Sequence, residues 1–186
     1  MPFLFKIQIK DITNPSVWRR VVVPKTFSFY QFHEVIQAAF GWGNCHLFLF
    51  GDKGYRSEVK IGVPDPDYDD FKTQDSKSIL LNQIFNSVGQ TFTYIYDFGD
   101  DWTHKIILEK ITDIGLSTAD CIEGEGACPP ENCRGAFGYE MLKATMLKPR
   151  SRDYKSTREW LGLTKDEPWD VTAFDLQDAR ESVKTI

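Results

Sequence analysis

Hydrophobic and polar residues alternate at the start of the chain, and the alternation resumes after a short interruption. Residues 3–12 alternate after Phe5, which predicts a half-buried strand, and residues 17–23 predict a second strand. Asn14-Pro15 between them is a typical turn sequence. We therefore expect the two strands to pair as antiparallel neighbours.

The spacing of the apolar residues then changes from the two-residue period of a strand to the 3.6-residue period of a helix. Apolar side chains recur on one side of the segment from Phe29 to Phe40, and Ser28 before them is a good N-cap. Gly41 and Gly43 follow directly and should end this helix.

Strand patterns dominate the first two thirds of the chain and helical patterns the last third. The remaining predicted elements are strands at 46–50 and 55–63, an acidic irregular loop at 64–70, a short helix at 79–85, a hairpin at 91–98 and 102–111, and helices at 139–147, 154–161 and 175–183. This order is typical of an α+β fold. We expect residues 1–186 to form a single α+β domain, in which residues 1–135 make a roll of mainly antiparallel strands with one packed helix, and residues 136–186 make a helical tail packed on it.

The register of the predicted hairpin decides which side chains share a face. With a two-residue loop at 99–100, Asp97 lies on the same side as His104. With a three-residue loop, Phe98 faces Trp102, and Asp97 and His104 lie on opposite faces. We favour the second register because it collects apolar side chains beside His104 on one face: Phe92, Tyr94, Tyr96, Ile106 and Leu108.

Composition narrows the class of protein. Of the 186 residues, 41% are hydrophobic and 14% aromatic, which is enough for a substantial core and too many for an intrinsically disordered chain. The formal net charge of −5 argues against the large basic face that non-specific nucleic-acid binding needs. No apolar run approaches the roughly 20 residues of a membrane span, and the first residues lack the features of a signal peptide. We expect a cytoplasmic protein with no membrane partner.

Three of the four cysteines lie in one stretch rich in glycine and proline. They are Cys121, Cys128 and Cys133, spaced C-x6-C-x4-C. Their thiolates could hold zinc, with His46, His104 or Cys45 as the fourth ligand. The spacing lacks the C-x2-C knuckle of most structural zinc sites, so we favour partly buried thiols in a loop that Pro129-Pro130 makes rigid, and we expect no other cofactor.

Three aspartates surround the tip of the hairpin. Asp97, Asp100 and Asp101 could coordinate a divalent cation, or Asp97 could act as a base near His104. The alternative is turn chemistry, because tight turns select aspartate and glycine. Asp97 lies between two aromatic residues, so we expect specific hydrogen bonds, for example from backbone amides of the loop, to hold its carboxylate.

Tryptophan is a further guide to a binding surface. The chain has five, at Trp18, Trp42, Trp102, Trp160 and Trp169. An exposed tryptophan would mark such a surface, but we expect most of them to belong to the core.

Several blocks of sequence together carry a family resemblance. They are residues 6–10 with 17–20, 40–47, 96–104, 121–135 leading into 138–140, and the tail segments 159–162 and 173–176. With these blocks the chain resembles the plasmid pRi ORF-three-like family over nearly its whole length. The resemblance implies a compact α+β roll and a relation to proteins carried on plasmids and insertion elements, some labelled transposon accessory or resolvase-like without demonstrated chemistry.

Two positions depart from the family pattern. Phe48 stands where many relatives carry a second histidine, which weakens a shared histidine metal site. Arg134 stands where glycine is common, so the loop backbone is more constrained. Both departures weaken an enzymatic interpretation.

Our leading interpretation is a non-enzymatic binding or accessory module with a groove rim formed by the hairpin tip and the cysteine loop. The predicted binding residues are Asp97, Asp100, Asp101, Trp102, His104, Glu125 and Glu131, and the predicted metal ligands, if a metal binds, are Cys121, Cys128, Cys133 and His46. The acidic balance favours a protein partner over a nucleic acid.

Two alternatives stay open. The first is a metal-dependent hydrolase or nuclease-like enzyme, in which the cysteines or the aspartates hold a cation that activates water. The second is a DNA-binding accessory of a mobile element, which needs one helical face of basic residues: Lys143, Lys148, Arg150, Arg152, Lys155 and Arg158.

Overall fold

An eight-stranded, mainly antiparallel sheet organises the residues described by the computed structural model, which are 2–65, 73–112 and 115–186. The strands are β1 Pro2–Ile9, β2 Trp18–Pro24, β3 Phe48–Gly51, β4 Lys60–Gly62, β5 Thr73–Asp75, β6 Thr91–Tyr96, β7 Trp102–Ile111 and β8 Asp120–Glu125. The helices are α1 Phe29–Phe40, α2 Leu81–Ile84, α3 Gly135–Met146, α4 Tyr154–Trp160 and α5 Leu176–Val183. The predicted α+β class is confirmed. Most of the predicted acidic loop at 64–70 lies outside the described residues.

The strand order across the sheet is β5-β4-β3-β6-β7-β1-β2-β8. Only β4 and β5 pair in parallel among the described strands; all other neighbours are antiparallel. The predicted pairing of the first two strands is confirmed, with Pro2 opposite Pro24 and Gln8 opposite Trp18.

Helix α1 begins and ends where the sequence predicts. The Ser28 hydroxyl accepts the backbone N–H of Gln31 at 3.2 Å, and the Gln31 side chain accepts the N–H of Ser28 at 3.0 Å, which is a capping box. Gly41 ends the helix at φ +83°, a conformation that glycine adopts without steric cost.

The buried side of α1 packs on an aromatic core. Phe32 lies 4.8 Å from Phe5, and Phe29 lies 5.0 Å from Phe50, measured between ring centroids. Phe85 closes the cluster at 4.8 Å from Phe5. Edge-to-face and tilted contacts of this kind add to the free energy gained by burying each ring.

The hairpin has a longer loop than predicted. Tyr96 faces Trp102 and Tyr94 faces His104, so the loop is the five residues 97–101, and the predicted three-residue loop is wrong. The register differs from the predicted one by two residues, which is one full side-chain period. The same residues therefore share the buried face as predicted.

Residues 55–63 do not form the predicted single strand. A 3₁₀ turn at Gly54–Arg56 comes first, and β4 covers only Lys60–Gly62. The Ser57 hydroxyl accepts the N–H of Lys53 at 2.8 Å and lies so close to Gly51 that a Cβ there would come within 2.2 Å of it. These local contacts fold the segment back on itself.

The start of the predicted cysteine loop is a strand. Residues Asp120–Glu125 form β8 at the edge of the sheet, with Cys121 opposite Val21 and Glu125 opposite Trp18. Pairing with β2 joins residues about a hundred positions apart, so no local pattern in the segment predicts it.

The C-terminal helix packs on both layers of the fold. Helix α5 lies against α1 and β8, and Asp175 caps it as predicted, accepting the N–H of Asp178 at 3.0 Å. Arg180 on α5 donates two hydrogen bonds, of 2.9 and 3.0 Å, to Asp120 on β8. The assignment of the chain to a single domain stays a prediction. No helix within the described ranges combines the length and the apolar character that crossing a bilayer requires.

Arg19 is a buried charge that joins distant parts of the chain. Its guanidinium N–H groups donate to four main-chain carbonyls at 2.9–3.1 Å, those of Trp18, Ala39, Glu125 and Gly126. The rings of Phe40 and Phe174 lie 5.0 and 4.0 Å from its central carbon. None of its hydrogen-bond partners in the described part of the chain is a carboxylate, and burial lowers the pKa of Arg19 from its ordinary value.

Replacing Arg19 with methionine should lower the free energy of unfolding by about 3–5 kcal/mol, because buried carbonyls lose their charged donor. Arg20 on the same strand is the matched control: its guanidinium is partly exposed and pairs with Glu109 and Glu123. Arg20→Met should cost only about 1 kcal/mol. Urea denaturation of both variants tests this, and equal losses would contradict it.

Candidate binding surface

Three loops meet at one end of the sheet. They are the α1–β3 loop (residues 41–47), the β6–β7 hairpin tip (residues 97–101) and the cysteine loop (residues 126–134). Five of the seven non-glycine residues with positive φ in the described chain lie in them: Asn44, Asp97, Asp101, Asn132 and Arg134. Such backbone conformations are costly and concentrate where surrounding contacts fix a local shape. We call these loops together the three-loop rim.

Hydrogen bonds hold the three loops to one another. The N–H of Asp97 donates to the carbonyl of Leu47 at 3.0 Å, and the indole N–H of Trp42 donates to the carbonyl of Pro129 at 2.9 Å. The Asp100 carboxylate accepts the N–H of Arg134 at 3.1 Å. The rim is therefore one connected structure rather than three independent loops.

Asp97 is held by the tip of its own hairpin. Its Oδ1 accepts the backbone N–H groups of Gly99 at 3.0 Å and Asp100 at 3.4 Å, as the sequence predicts. Its Oδ2 lies 3.5 Å from Nε2 of His46, which is partly exposed. Asp97 and His104 are thus not paired, in line with the opposite faces that the favoured register predicted, and the neighbour that sequence reasoning did not foresee is His46.

Trp102 and His104 support the rim from below. Both are buried, and the indole ring of Trp42 lies 5.7 Å from Trp102 and 5.3 Å from His104 between centroids. His104 Nδ1 lies 2.8 Å from the carbonyl of Trp102, an acceptor, so Nδ1 carries the proton. Burial lowers the pKa of His104 to about 3. Neither side chain reaches the surface to contact a partner.

Two further predicted residues also bind groups of the protein itself. The Tyr96 hydroxyl donates to Oε1 of Glu131 at 2.6 Å and accepts the N–H of Cys45 at 2.9 Å. Burial, and then this bond to Glu131, raise the pKa of Tyr96 well above its ordinary value. Glu125, on β8, accepts the indole N–H of Trp18 at 2.8 Å.

Asp101 is the most exposed of the three tip aspartates. Its carboxylate accepts the hydroxyl of Thr103 at 3.3 Å, a local turn contact. Its charge also helps to raise the pKa of Tyr55 to about 12, an effect in which burial is the largest cause.

A polar network between α1 and β6 fixes the α1–β3 loop. His33 Nε2 donates to the Asn44 side-chain oxygen at 2.7 Å, and the Tyr94 hydroxyl donates to Nδ1 of His33 at 2.8 Å. Gln37 completes the network by donating to Tyr94 at 2.9 Å and accepting the N–H of Asn44 at 3.1 Å. Burial lowers the pKa of His33 to about 4, so this histidine is neutral at pH 7.

The predicted metal ligands are not gathered into a site. Among the described residues, no three His, Cys, Asp or Glu side chains are placed to hold one ion. This holds for the predicted ligands Cys121, Cys128, Cys133 and His46, and also for the three aspartates of the hairpin tip. The cation of Arg19 lies near Cys121 and Cys128, where a metal would be repelled. Burial raises the pKa of Cys121 to about 11 and of Cys133 to about 12, so both are neutral thiols.

A groove lies between α3, α4 and the end of the cysteine loop. It encloses 570 Å³. Its lining residues are Asn132, Cys133, Arg134, Gly138, Met141, Leu142, Thr145, Asp153, Ser156, Thr157 and Trp160. We call it the α3–α4 groove. It joins the three-loop rim through residues 132–134, which belong to the cysteine loop.

Large apolar side chains are exposed in and beside the α3–α4 groove. Met141 is 54% exposed, Trp160 52%, Phe137 77% and Leu147 81%. The expectation that most tryptophans belong to the core is confirmed, since Trp18, Trp42 and Trp102 are buried. Trp160 is an exception, and sequence reasoning did not single out Phe137 or Met141. The sequence pattern that could have revealed these exposed side chains is that α3 is apolar on two sides. Tyr139 and Leu142 face the core, and Phe137 and Met141, one turn apart, face outward.

A second groove, of 510 Å³, lies on the other side of the hairpin tip. Phe98 from the tip lines it together with Leu47, Tyr55 and Val63, all exposed. It extends to Asp65 and Thr73, the residues that flank an undescribed part of the chain. The hairpin tip lies beside both grooves: Phe98 lines the second one, and Asp100 contacts Arg134, which lines the α3–α4 groove.

The six basic residues from Lys143 to Arg158 do not form one helical face. Lys143 is buried and binds the carbonyl of Thr13 and the carboxylate of Glu140. Arg158 donates to main-chain carbonyls after α4, those of Thr164, Lys165 and Glu167. The DNA-binding alternative requires these residues to form one basic helical face, and this requirement is therefore not met.

Acid should destabilise the protein through its buried histidines. An unfolded histidine takes up a proton below about pH 6.5, whereas folded His104 stays neutral down to about pH 3, so the unfolded state binds more protons in this window and stability falls as the pH falls. His104→Phe removes one such group. Between pH 6.5 and 4, the gap in unfolding free energy between wild type and variant should shrink by about 1.4 kcal/mol per pH unit. A gap that does not change with pH in urea denaturation would contradict this.

Comparison with known proteins identifies a family that matches nearly the whole chain. The family described as plasmid pRiA4b ORF-3-like protein matches residues 2–178. Uncharacterized protein y4hQ from Sinorhizobium fredii (strain NBRC 101917 / NGR234) is 36% identical over 177 residues, which are 95% of this chain and 88% of that protein. Neither name states an activity.

A solved structure has the same fold. The crystal structure of MM3350, a protein of unknown function from Methanosarcina mazei Go1, matches with a TM-score of 0.80 and 31% identity over 95% of this chain and 96% of that one. The resemblance of the sequence blocks, from the first strand to the tail, is thereby confirmed. This chain belongs to the plasmid pRiA4b ORF-3-like family.

Proposed function

We propose that this protein is a non-enzymatic binding module that holds a protein partner in the α3–α4 groove. The observation that carries the proposal is the set of large apolar side chains exposed there, above all Met141 and Trp160. Apolar residues exposed singly are ordinary, but several around one groove are typical of an interaction site. Tryptophan and methionine are also enriched at protein interfaces.

The groups that could perform chemistry at the rim support a binding role better than a catalytic one. Asp97, Asp100 and Glu131 each accept hydrogen bonds that fix the loops. His104 is neutral and has no route to a substrate because it is fully buried. Residues held in this way shape a surface and are less available as acid, base or nucleophile.

A rigid rim gives the proposed groove a fixed end wall. Asp100 holds the N–H of Arg134, and a Cβ at Gly135 would come within 2.2 Å of the Asp100 carbonyl. The hairpin tip therefore packs against the cysteine loop just where that loop lines the groove. A preformed wall lowers the cost of ordering on binding.

The alternatives have less support. A metal-dependent hydrolase or nuclease needs ligands that the described residues do not gather, and a DNA-binding accessory needs a basic helical face that Lys143 and Arg158 do not join. The cytoplasmic location and a role in mobile elements stay predictions.

Affinity capture from cells of the source organism tests the proposal. Wild-type bait should retain a partner protein, and Met141→Ala with Trp160→Ala should reduce its recovery at least about tenfold, since contact residues of this size often dominate an interface. Phe98→Ala is the matched control, an exposed aromatic residue in the other groove.

The variants must be folded for the comparison to hold, so their unfolding free energies are measured beside the capture, with Trp160→Phe as a conservative rescue. Equal recovery by the groove variant and the wild type would contradict the proposal. Loss of the partner in Phe98→Ala alone would place the binding surface in the second groove.

A further inference from the structure

The charge around the α3–α4 groove differs from that of the rest of the chain. Residues 143–158 hold six basic residues and one acidic residue, Asp153, whereas the whole chain has a net charge of −5. A basic segment on an acidic protein creates a local positive field that attracts negative partners and steers their approach.

Three of these basic side chains are exposed and available. Lys148, Arg150 and Arg152 lie in the connection from α3 to α4, and the described residues provide none of them with a carboxylate partner. The other three are used locally: Lys143 and Arg158 bind the protein itself, and Lys155 lies 3.7 Å from Glu159.

A fourth cation stands at the other end of the groove. Arg134 is exposed and lines the groove, while its backbone N–H is fixed by Asp100. Its side chain makes no ion pair with the described part of the chain. Positive charge is thus present at the cysteine-loop end and at the α3–α4 connection, with Asp153 the single acid of the lining.

Apolar surface lies between the two positively charged ends. Phe137 and Met141 are one helical turn apart on the outer side of α3, and Trp160 ends α4. A ligand that satisfies both features carries apolar side chains one helical turn apart and carboxylates beside them. Exposed cations in the connection, beside the exposed side chains of Met141 and Trp160, fit such a peptide better than a phosphate backbone, which needs a broad basic face.

We infer that the α3–α4 groove binds a short acidic amphipathic segment of a partner protein, whose apolar side chains contact Met141 and Trp160 and whose carboxylates face Arg134, Arg150 and Arg152. This inference rests on the proposed function and names the chemistry of the partner. It makes the recognition both apolar and electrostatic.

The test uses a designed fluorescent peptide of about 16 residues, roughly four turns of helix, with Leu and Phe on one face and Glu on the other. Fluorescence anisotropy with the full-length protein should show binding that weakens between about 50 and 200 mM salt. A peptide with Lys in place of Glu, and one of the same composition in scrambled order, should bind at least about tenfold more weakly.

Charge reversal in the protein localises the site. Arg150→Glu with Arg152→Glu should weaken binding of the acidic peptide about tenfold or more. The matched control is Lys105→Glu with Lys110→Glu, the same change of charge at exposed positions of β7. The control variant should bind the acidic peptide nearly as tightly as the wild type does, with only a small loss of affinity because its net charge is more negative.

Four results would overturn the inference: no binding of the acidic peptide in low salt, equal weakening by both charge reversals, tighter binding of a DNA duplex of similar length, or a dimer of this protein that Trp160→Ala dissociates. The proposed function is tested separately, by the capture experiment. If the partner captured from cells still depends on Met141 and Trp160 while the acidic peptide fails, the binding module stands and only its acidic partner falls; if both fail, both are refuted.

Discussion

The buried guanidinium of Arg19 connects parts of the chain that no local sequence joins. A charge removed from water requires compensation, and here main-chain carbonyls from the end of α1 and from the start of the cysteine loop supply it, with the ring of Phe174 from the C-terminal region stacked on it. Because each donor direction of the planar group is fixed, these carbonyls must lie where the guanidinium points. Strand β8 is thereby positioned beside β2, and the cysteine loop leaves the sheet at a defined place.

From that fixed exit the cysteine loop reaches the other two loops of the three-loop rim. Trp42 binds the carbonyl of Pro129, and Asp100 binds the N–H of Arg134, so the rim is tied at two further points. Most of the polar groups that look reactive in the sequence are used in this way. A carboxylate that accepts backbone N–H groups stabilises a loop and is less available to a substrate, which explains how a segment dense in acids and thiols serves a structural purpose.

The surface that these internal bonds leave exposed includes the proposed binding groove. The exposed apolar side chains of α3 and α4, and the unpaired cations near them, are not needed to hold the described fold together. Exposed apolar groups that cluster around one groove are typical of interaction sites, whereas single ones are ordinary, and this clustering is why the groove is proposed as the binding surface.

The sequence alone determined the features that depend on neighbours in the chain: the caps of α1 at Ser28 and Gly41, the pairing of the first two strands, and the α+β class. It also determined the buried face of the hairpin, because alternation has a period of two whatever the loop length. Only the tertiary structure decided that β8 is a strand, that Asp97 faces His46, and that Trp160 is exposed. Each of these depends on contacts between distant residues, and residue type by itself does not say which of several suitable partners a side chain will meet.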